Sequence, residues 1–268
     1  NDADSKLLLN SITVDSVSSS ANNSGLDVDD DSTVSSLTVA HTTPVSIASG
    51  RTLSGAVTLT GGSIKLGETG TLATTVSMSG GKLDADESLT LSGTLSHTAN
   101  INIDIAGDKT LTYTGAAISL GAKRLSLTGG YGNEWGTFSN TNALLLNNAN
   151  SLLRLNAHVI VGSVSVNVAS NPDKGLAVYN SSVINSLTVA ADTELNIADG
   201  KTLSGAITVT GGSIKLTETG TLASSVSMSG GTLDADNSST LSGALSQSGA
   251  ITIDVASGKT LTYSGAAL

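Results

Sequence analysis

The chain has 268 residues, with 12 Lys and Arg against 22 Asp and Glu, 30 Gly, two Pro, six aromatic residues and no Cys. Ser and Thr supply 76 residues, so an interior built with so few rings must consist of Val, Ile, Leu and Ala, which suit pleated strands. Disulfide staples and thiol chemistry are excluded, an acidic chain without a basic stripe is a poor partner for nucleic acid, and 13% charged residues beside 38% apolar ones argue against a disordered chain.

Taken from its start, Asn1-Asp-Ala-Asp4, the chain does not open as a signal peptide does. It reads as beginning after processing or inside something longer, and no run approaches the ~18 apolar residues of a membrane span. Leu26-x-Val28 and Val34 begin a ladder that continues through Val45-x-Ile47, Leu53 and Val57-x-Leu59. Ile64-x-Leu66, Leu72 and Val76-x-Met78 follow nineteen residues later, then Leu83-x-Ala85, Leu91 and Leu95, and after one inserted residue Ile103-x-Ile105 and Leu111. Apolar residues two apart mark strands with one face buried. Gly61-Gly62, echoed at Gly80-Gly81, Gly129-Gly130, Gly211-Gly212 and Gly230-Gly231, marks sharp turns.

Residues 119–160 break this rhythm. Tyr131, Trp135 and Phe138 form the chain's aromatic cluster, followed by an Asn-rich stretch with Leu144-Leu-Leu146 and Leu152-Leu153. The segment 129–156 reads as an irregular insertion, a loop or an expanded coil. Its aromatics suit a ligand or subunit contact, or local packing. From there the sequence repeats itself: residues 11–118 match 161–268 at an offset of 150, and roughly two thirds of positions 31–118 are identical in the second copy.

A nineteen-residue coil cannot enclose a core alone, but stacked coils place like residues over like. The expected fold is therefore all-β, a parallel β-helix or β-solenoid with coils of about 19 residues and almost no helix, continuous over 1–268. About fourteen coils at the ~4.8 Å strand spacing would make a rod of roughly 65 Å. Five or six aliphatic side chains buried per coil would contribute about 1.5 to 3 kcal/mol each before ordering entropy is subtracted. A β-sandwich with hairpins at the Gly-Gly pairs is the rival, and it would not require one pattern at a fixed interval.

The phrases Thr-Leu-Ser-Gly at 52–55, Leu-Thr-Gly-Gly at 59–62 and Gly-Lys-Thr-Leu-Thr at 258–262 resemble those of bacterial β-helical surface and secreted adhesins, filamentous-haemagglutinin-like exoproteins and autotransporter passengers. The resemblance spans nearly the whole chain. It implies a right-handed coil outside the cell that works in adhesion, aggregation or matrix building. The shared motif contains no catalytic residue to carry over, so the chain is expected not to be an enzyme.

Candidate chemistry is confined to a few clusters. Asp84, Asp86 and Asp104, repeated as Asp234, Asp236 and Asp254, should stack on an outward face. They could bind Ca²⁺, act as acid and base on a polysaccharide, or form a solvated acidic face, which is the plain reading. The Asp27-x-Asp29-Asp30-Asp31 run, absent from the second copy, could likewise hold Ca²⁺, and its plainer reading is an exposed turn. His41, His97 and His158 have no metal or triad spacing and read as surface residues. Lys65 and Lys215, beside Glu68 and Glu218, suggest weak ion pairs. Outward Ser and Thr ladders such as Thr58, Ser77 and Ser96 suit exposed strands and also resemble ice-binding solenoids. The leading expectation is a non-enzymatic extracellular structural or adhesive solenoid, partnered by itself in head-to-tail or lateral assembly or by cell-surface glycans. A polysaccharide-binding or polysaccharide-active protein is the alternative, and an ice- or cation-binding solenoid a further one. No cofactor is expected apart from Ca²⁺ at the aspartates.

Overall fold

The sequence Thr52-Leu-Ser-Gly-Ala-Val-Thr-Leu59 already contains the rule of the fold. Leu53, Val57 and Leu59 are buried while Thr58 is exposed, the alternation of a strand with one face inward. In the computed structural model, which describes residues 5–19, 21–130 and 134–266, this pattern recurs through the inner turns of a parallel β-solenoid. The described residues contain strands and turns and no helix, hence no helix long and apolar enough to cross a membrane.

The chain divides into two units, residues 1–118 with 125–142, and residues 119–124 with 143–268. Each turn contributes one strand to the first of two parallel sheets and one or two to the second, as Leu89–Leu91 and Leu95–His97 both pair with Thr71–Met78. In the first unit, the first sheet stacks Lys6–Leu9, Gly25–Val28, Thr43–Ile47, Ser63–Leu66, Lys82–Ala85, Ile101–Ile105 and Arg124–Thr128 in sequence order. In the second unit it stacks Leu152–Leu155, Gly175–Val178, Thr193–Ile197, Ser213–Leu216, Thr232–Ala235 and Thr252–Val255. These strands set about 13 turns, one fewer than the sequence spacing suggests.

Register makes the core continuous within each unit. Leu37 pairs with Val57, Val57 with Val76 and Val76 with Leu95, and all four are buried. On the first sheet the column runs Val45, Leu66, Ala85, Ile105. In the second unit Leu187, Ile207, Val226 and Leu245 form the matching column. Aliphatic side chains stacked in register bury their apolar surface against their own kind, the main favourable contribution to such a fold.

The second sheet bends midway. Between Leu53 and Val57 the chain spends four residues rather than two, and Gly55 there adopts φ +119, while the pairing register shifts between Val34 and Leu37. The extra residue lies in the Ser32–Val39 strand, which takes three steps from Val34 to Leu37 where its partner takes two from Gly55 to Val57, as in a bulge. The second residue of each Gly-Gly pair has positive φ, for example Gly62 and Gly212, and a Cβ on Gly62 would lie 2.5 Å from the His41 carbonyl carbon. That turn therefore requires glycine both for its dihedral and for the approach of the neighbouring coil.

The aromatic and Asn-rich stretch is not a loop leaving the stack. It supplies the strand Gly136–Asn140, whose Phe138 pairs with Leu111, to the first unit. It also supplies Leu144–Leu146 and Leu152–Leu155, paired with Val164–Val166 and Gly175–Val178, to the second. The coils there are longer, and the strand pattern persists across the longer connections. Register also places the pairs Val17–Leu37 and Val164–Leu187 in equivalent positions, so the offset is 147 in that strand and 150 from residue 25 onward.

Candidate functional site

The outward face of the first sheet carries the aspartates. In the first unit Asp84 lies in register with Asp104, and Lys82 with Asn102. Lys82 Nζ bridges the two carboxylates at 2.9 and 2.8 Å, and the Thr128 hydroxyl donates to Asp104 Oδ1 at 2.9 Å. Asp84 is only 8% exposed beneath this bridge. Burial pulls the Lys82 pKa down, and the bonds from Asp104 and Asp84 outweigh it, so the net movement is upward. Asp86 lies just past its strand and meets Lys65 at 3.4 Å. Three carboxylates are thus answered by two lysines.

The second copy is built differently. Asp234 again opposes Asp254, but Thr232 stands where Lys82 does in the first copy. Asp236 takes Lys215 at 2.8 Å, so the lysines at 65 and 215 pair with the aspartate of the next coil rather than with Glu68 or Glu218. Loss of hydration raises the Asp234 pKa, Asp236 and Asp254 add to that, and Lys215 offsets part of it. Among the described residues no group of three or more His, Asp or Glu side chains is arranged to hold a metal ion.

The other marked residues are accounted for by neighbours. Asp27 pairs with Lys6 at 2.9 Å and Asp30 with Arg51 at 2.7 Å, while Asp31 accepts from Thr52 N at 2.8 Å. The acidic run is therefore tied across three coils rather than left as a bare turn. His97 is not a surface residue: it is half-buried, in register with Met78, and its Nδ1 lies 3.0 Å from the Ala99 carbonyl. Thr58, Ser77 and Ser96 do form a ladder, with Ser77 and Ser96 hydroxyls 3.3 Å apart.

Of the three aromatics expected at a contact surface, Tyr131 lies outside the described residues. Phe138 is fully buried, with its ring stacked on Tyr113 at 6.1 Å between centroids. It packs inside the core because Gly136–Asn140 is a regular strand whose alternation turns it inward, and it offers no surface to a ligand or subunit. Trp135 is half-buried, and its carbonyl accepts from Asp108 N at 3.2 Å.

A concave site on the second unit was not read from the sequence. Arg154, Ala177 and Asn196 lie side by side on three successive outward strands, and Tyr179 at the end of the middle strand is 48% exposed. The Arg154 guanidinium stands 5.5 Å from the Tyr179 ring centroid, a cation–π contact. Ala177 and Ala198 form the floor of an opening of about 290 Å³, and Asp173 and Glu218 stand at its rim. The signal lay in the comparison of copies, because Tyr179 and Ala177 replace Asp29 and Asp27.

No protein-family model, no curated protein and no solved structure matches the chain.

Proposed function

We propose that this protein is a non-enzymatic structural solenoid of a bacterial surface or extracellular matrix, an adhesin-like fibre element that joins end to end into filaments. One observation supports the reading most. Its outward polar side chains bond to the neighbouring coil about 19 to 22 residues away, as Lys82–Asp104, Lys109–Glu87, Arg51–Asp30 and Ser77–Ser96 do, so they hold the stack together.

The coil edges support the assembly. Ile101–Ile105 is paired on both sides, by Lys82–Ala85 and Arg124–Thr128. Its near-identical counterpart Thr252–Val255 pairs with Thr232–Ala235 and, among the described residues, with no second strand. Ile253 and Val255 are exposed there, and Leu7, Leu8 and Ile12 at the opposite edge. Such a strand, flanked by apolar side chains, accepts a further parallel strand, from the same chain or from a second copy.

Sedimentation and electron microscopy over a concentration series test this. The 268-residue chain should associate as it is concentrated and form threads of uniform width, and Ile253→Lys with Val255→Lys should hold it as a monomer. A chain that stays monomeric at millimolar concentration with its edges intact would overturn the reading.

A further inference from the structure

The geometry points to the groove around Tyr179 as a binding site for an uncharged oligosaccharide. This inference goes beyond the structural role and stands without it, since every residue involved lies within the second unit, away from the edge strand Thr252–Val255.

Four features converge on that class of ligand. Tyr179 presents an exposed ring at a fixed position: its backbone N bonds to the Leu155 carbonyl at 2.9 Å, and Arg154 packs against it. A ring held in this way offers a flat apolar surface for the C–H face of a pyranose. Ala177, in register between Arg154 and Asn196, leaves a trough between two polar walls. Those walls are two strand spacings apart, about 9.5 Å, and since Ala177 is nearly buried while Tyr179 is exposed, the Tyr179 ring is the face that meets the sugar.

The polar groups at the trough are planar and of both kinds. Arg154 donates through its guanidinium. The Thr217 hydroxyl bonds to Asn196 Oδ1 and so presents Nδ2 as a donor. Glu218 and Asp173 are acceptors, and the Asp173 turn is fixed by its backbone N donating to Glu194 Oε2 at 2.6 Å. Planar donors and acceptors around a small floor suit the alternating hydroxyls of a sugar. One cation against two carboxylates, on a chain of net charge −10, selects against a uronate or sulfated glycan.

The first copy lacks the groove. Leu8 and Asp29 stand in the places of Arg154 and Tyr179, and Asp27, bound to Lys6, fills the place of Ala177. Among the described residues the groove therefore occurs once, although the coil is duplicated.

Calorimetric titration and saturation-transfer NMR on the full chain test this. The probes are cello-, malto-, laminari- and chito-tetraose, with tetragalacturonate as the acidic comparison. At least one neutral tetrasaccharide should bind with a millimolar or tighter constant. Tyr179→Ala and Ala177→Asp should each weaken it about tenfold or more, and Asp29→Ala should leave it unchanged. Ala177→Asp installs the residue that the same position carries in the first copy, and its thermal melt, read beside that of Tyr179→Ala, separates loss of binding from loss of folding. Binding by tetragalacturonate alone, no neutral binding at about 10 mM, or neutral binding that survives both variants would overturn the assignment.

Discussion

At the scale of single residues, backbone conformation decides which side chains the coil tolerates. Gly205 has φ +121, and a Cβ there would lie 1.8 Å from the Ile184 carbonyl oxygen of the preceding coil. Gly205→Ala therefore meets both an unfavourable dihedral and a backbone clash. It should lower stability by about 2 to 4 kcal/mol, while Gly211→Ala, whose Cβ would meet only the Ala190 carbonyl at 3.5 Å, should cost under about 1 kcal/mol. Urea denaturation of the two variants measures the difference. Charge acts on the same scale at Asp234. Its raised pKa means that folding favours the protonated acid. That contribution is fully present below the unfolded carboxylate pKa and is lost as pH rises through the higher folded one. Asp234→Asn, which cannot ionise, should thus melt higher than the parent near pH 7, and the gap should close as pH falls through the carboxylate range. A constant gap from pH 3 to 7 would show that ionisation is not its cause. The apolar columns and glycine turns were legible in the sequence because period-two alternation and a repeated Gly-Gly pair carry them directly. The partners of Lys65 and Lys215 were not, since Glu68 and Glu218 are near in sequence while Asp86 and Asp236 are near only once the coils stack.

At the scale of the strand pair, the two copies provide an exchange experiment. Lys82 joins Asp84 and Asp104, and Thr232 leaves Asp234 and Asp254 without that bridge. Lys82→Thr leaves the nearly buried Asp84 uncompensated and should cost about 1 to 3 kcal/mol. Thr232→Lys, placing an ammonium beside Asp234 and Asp254, should gain up to about 1 kcal/mol, limited by solvent screening. Thermal melting at low and high salt checks both, and the effect of each should shrink as salt rises. The strands between 136 and 155 were hidden from a fixed-interval search for a different reason. Leu111 and Phe138 are in register although 27 positions separate them, so the side chains keep their alternation while the connections lengthen. The Tyr179 groove was hidden likewise, because Arg154 and Ala177 become neighbours only across one of these longer coils.

At the scale of the whole molecule, a solenoid gains stability from nearest-neighbour stacking, so position rather than sequence should set local stability. Ile101–Ile105, INIDI, alternates between buried and half-buried residues, whereas the equivalent Thr252–Val255, TIDV, is exposed throughout. Leu111 and Tyr113 are fully buried, and Leu261 and Tyr263 are half-buried. Hydrogen-exchange mass spectrometry can follow the two stretches separately, because their peptides differ in sequence. In dilute protein the amides of 101–113 should exchange at least a hundredfold more slowly than those of 251–263, a difference of about 2.7 kcal/mol in opening free energy. The amides of Lys6–Leu9 should be fast as well, and those of Ser63–Leu66 and Thr193–Ile197, each enclosed by neighbours, slow. Raising the concentration then separates two origins of this asymmetry. If a second copy covers the Thr252–Val255 edge, its amides should slow toward the rates of 101–113 while interior coils stay unchanged. Equal exchange in the two stretches at low concentration would mean that stability is not set by stacking, and the end-to-end assembly would lose its physical basis.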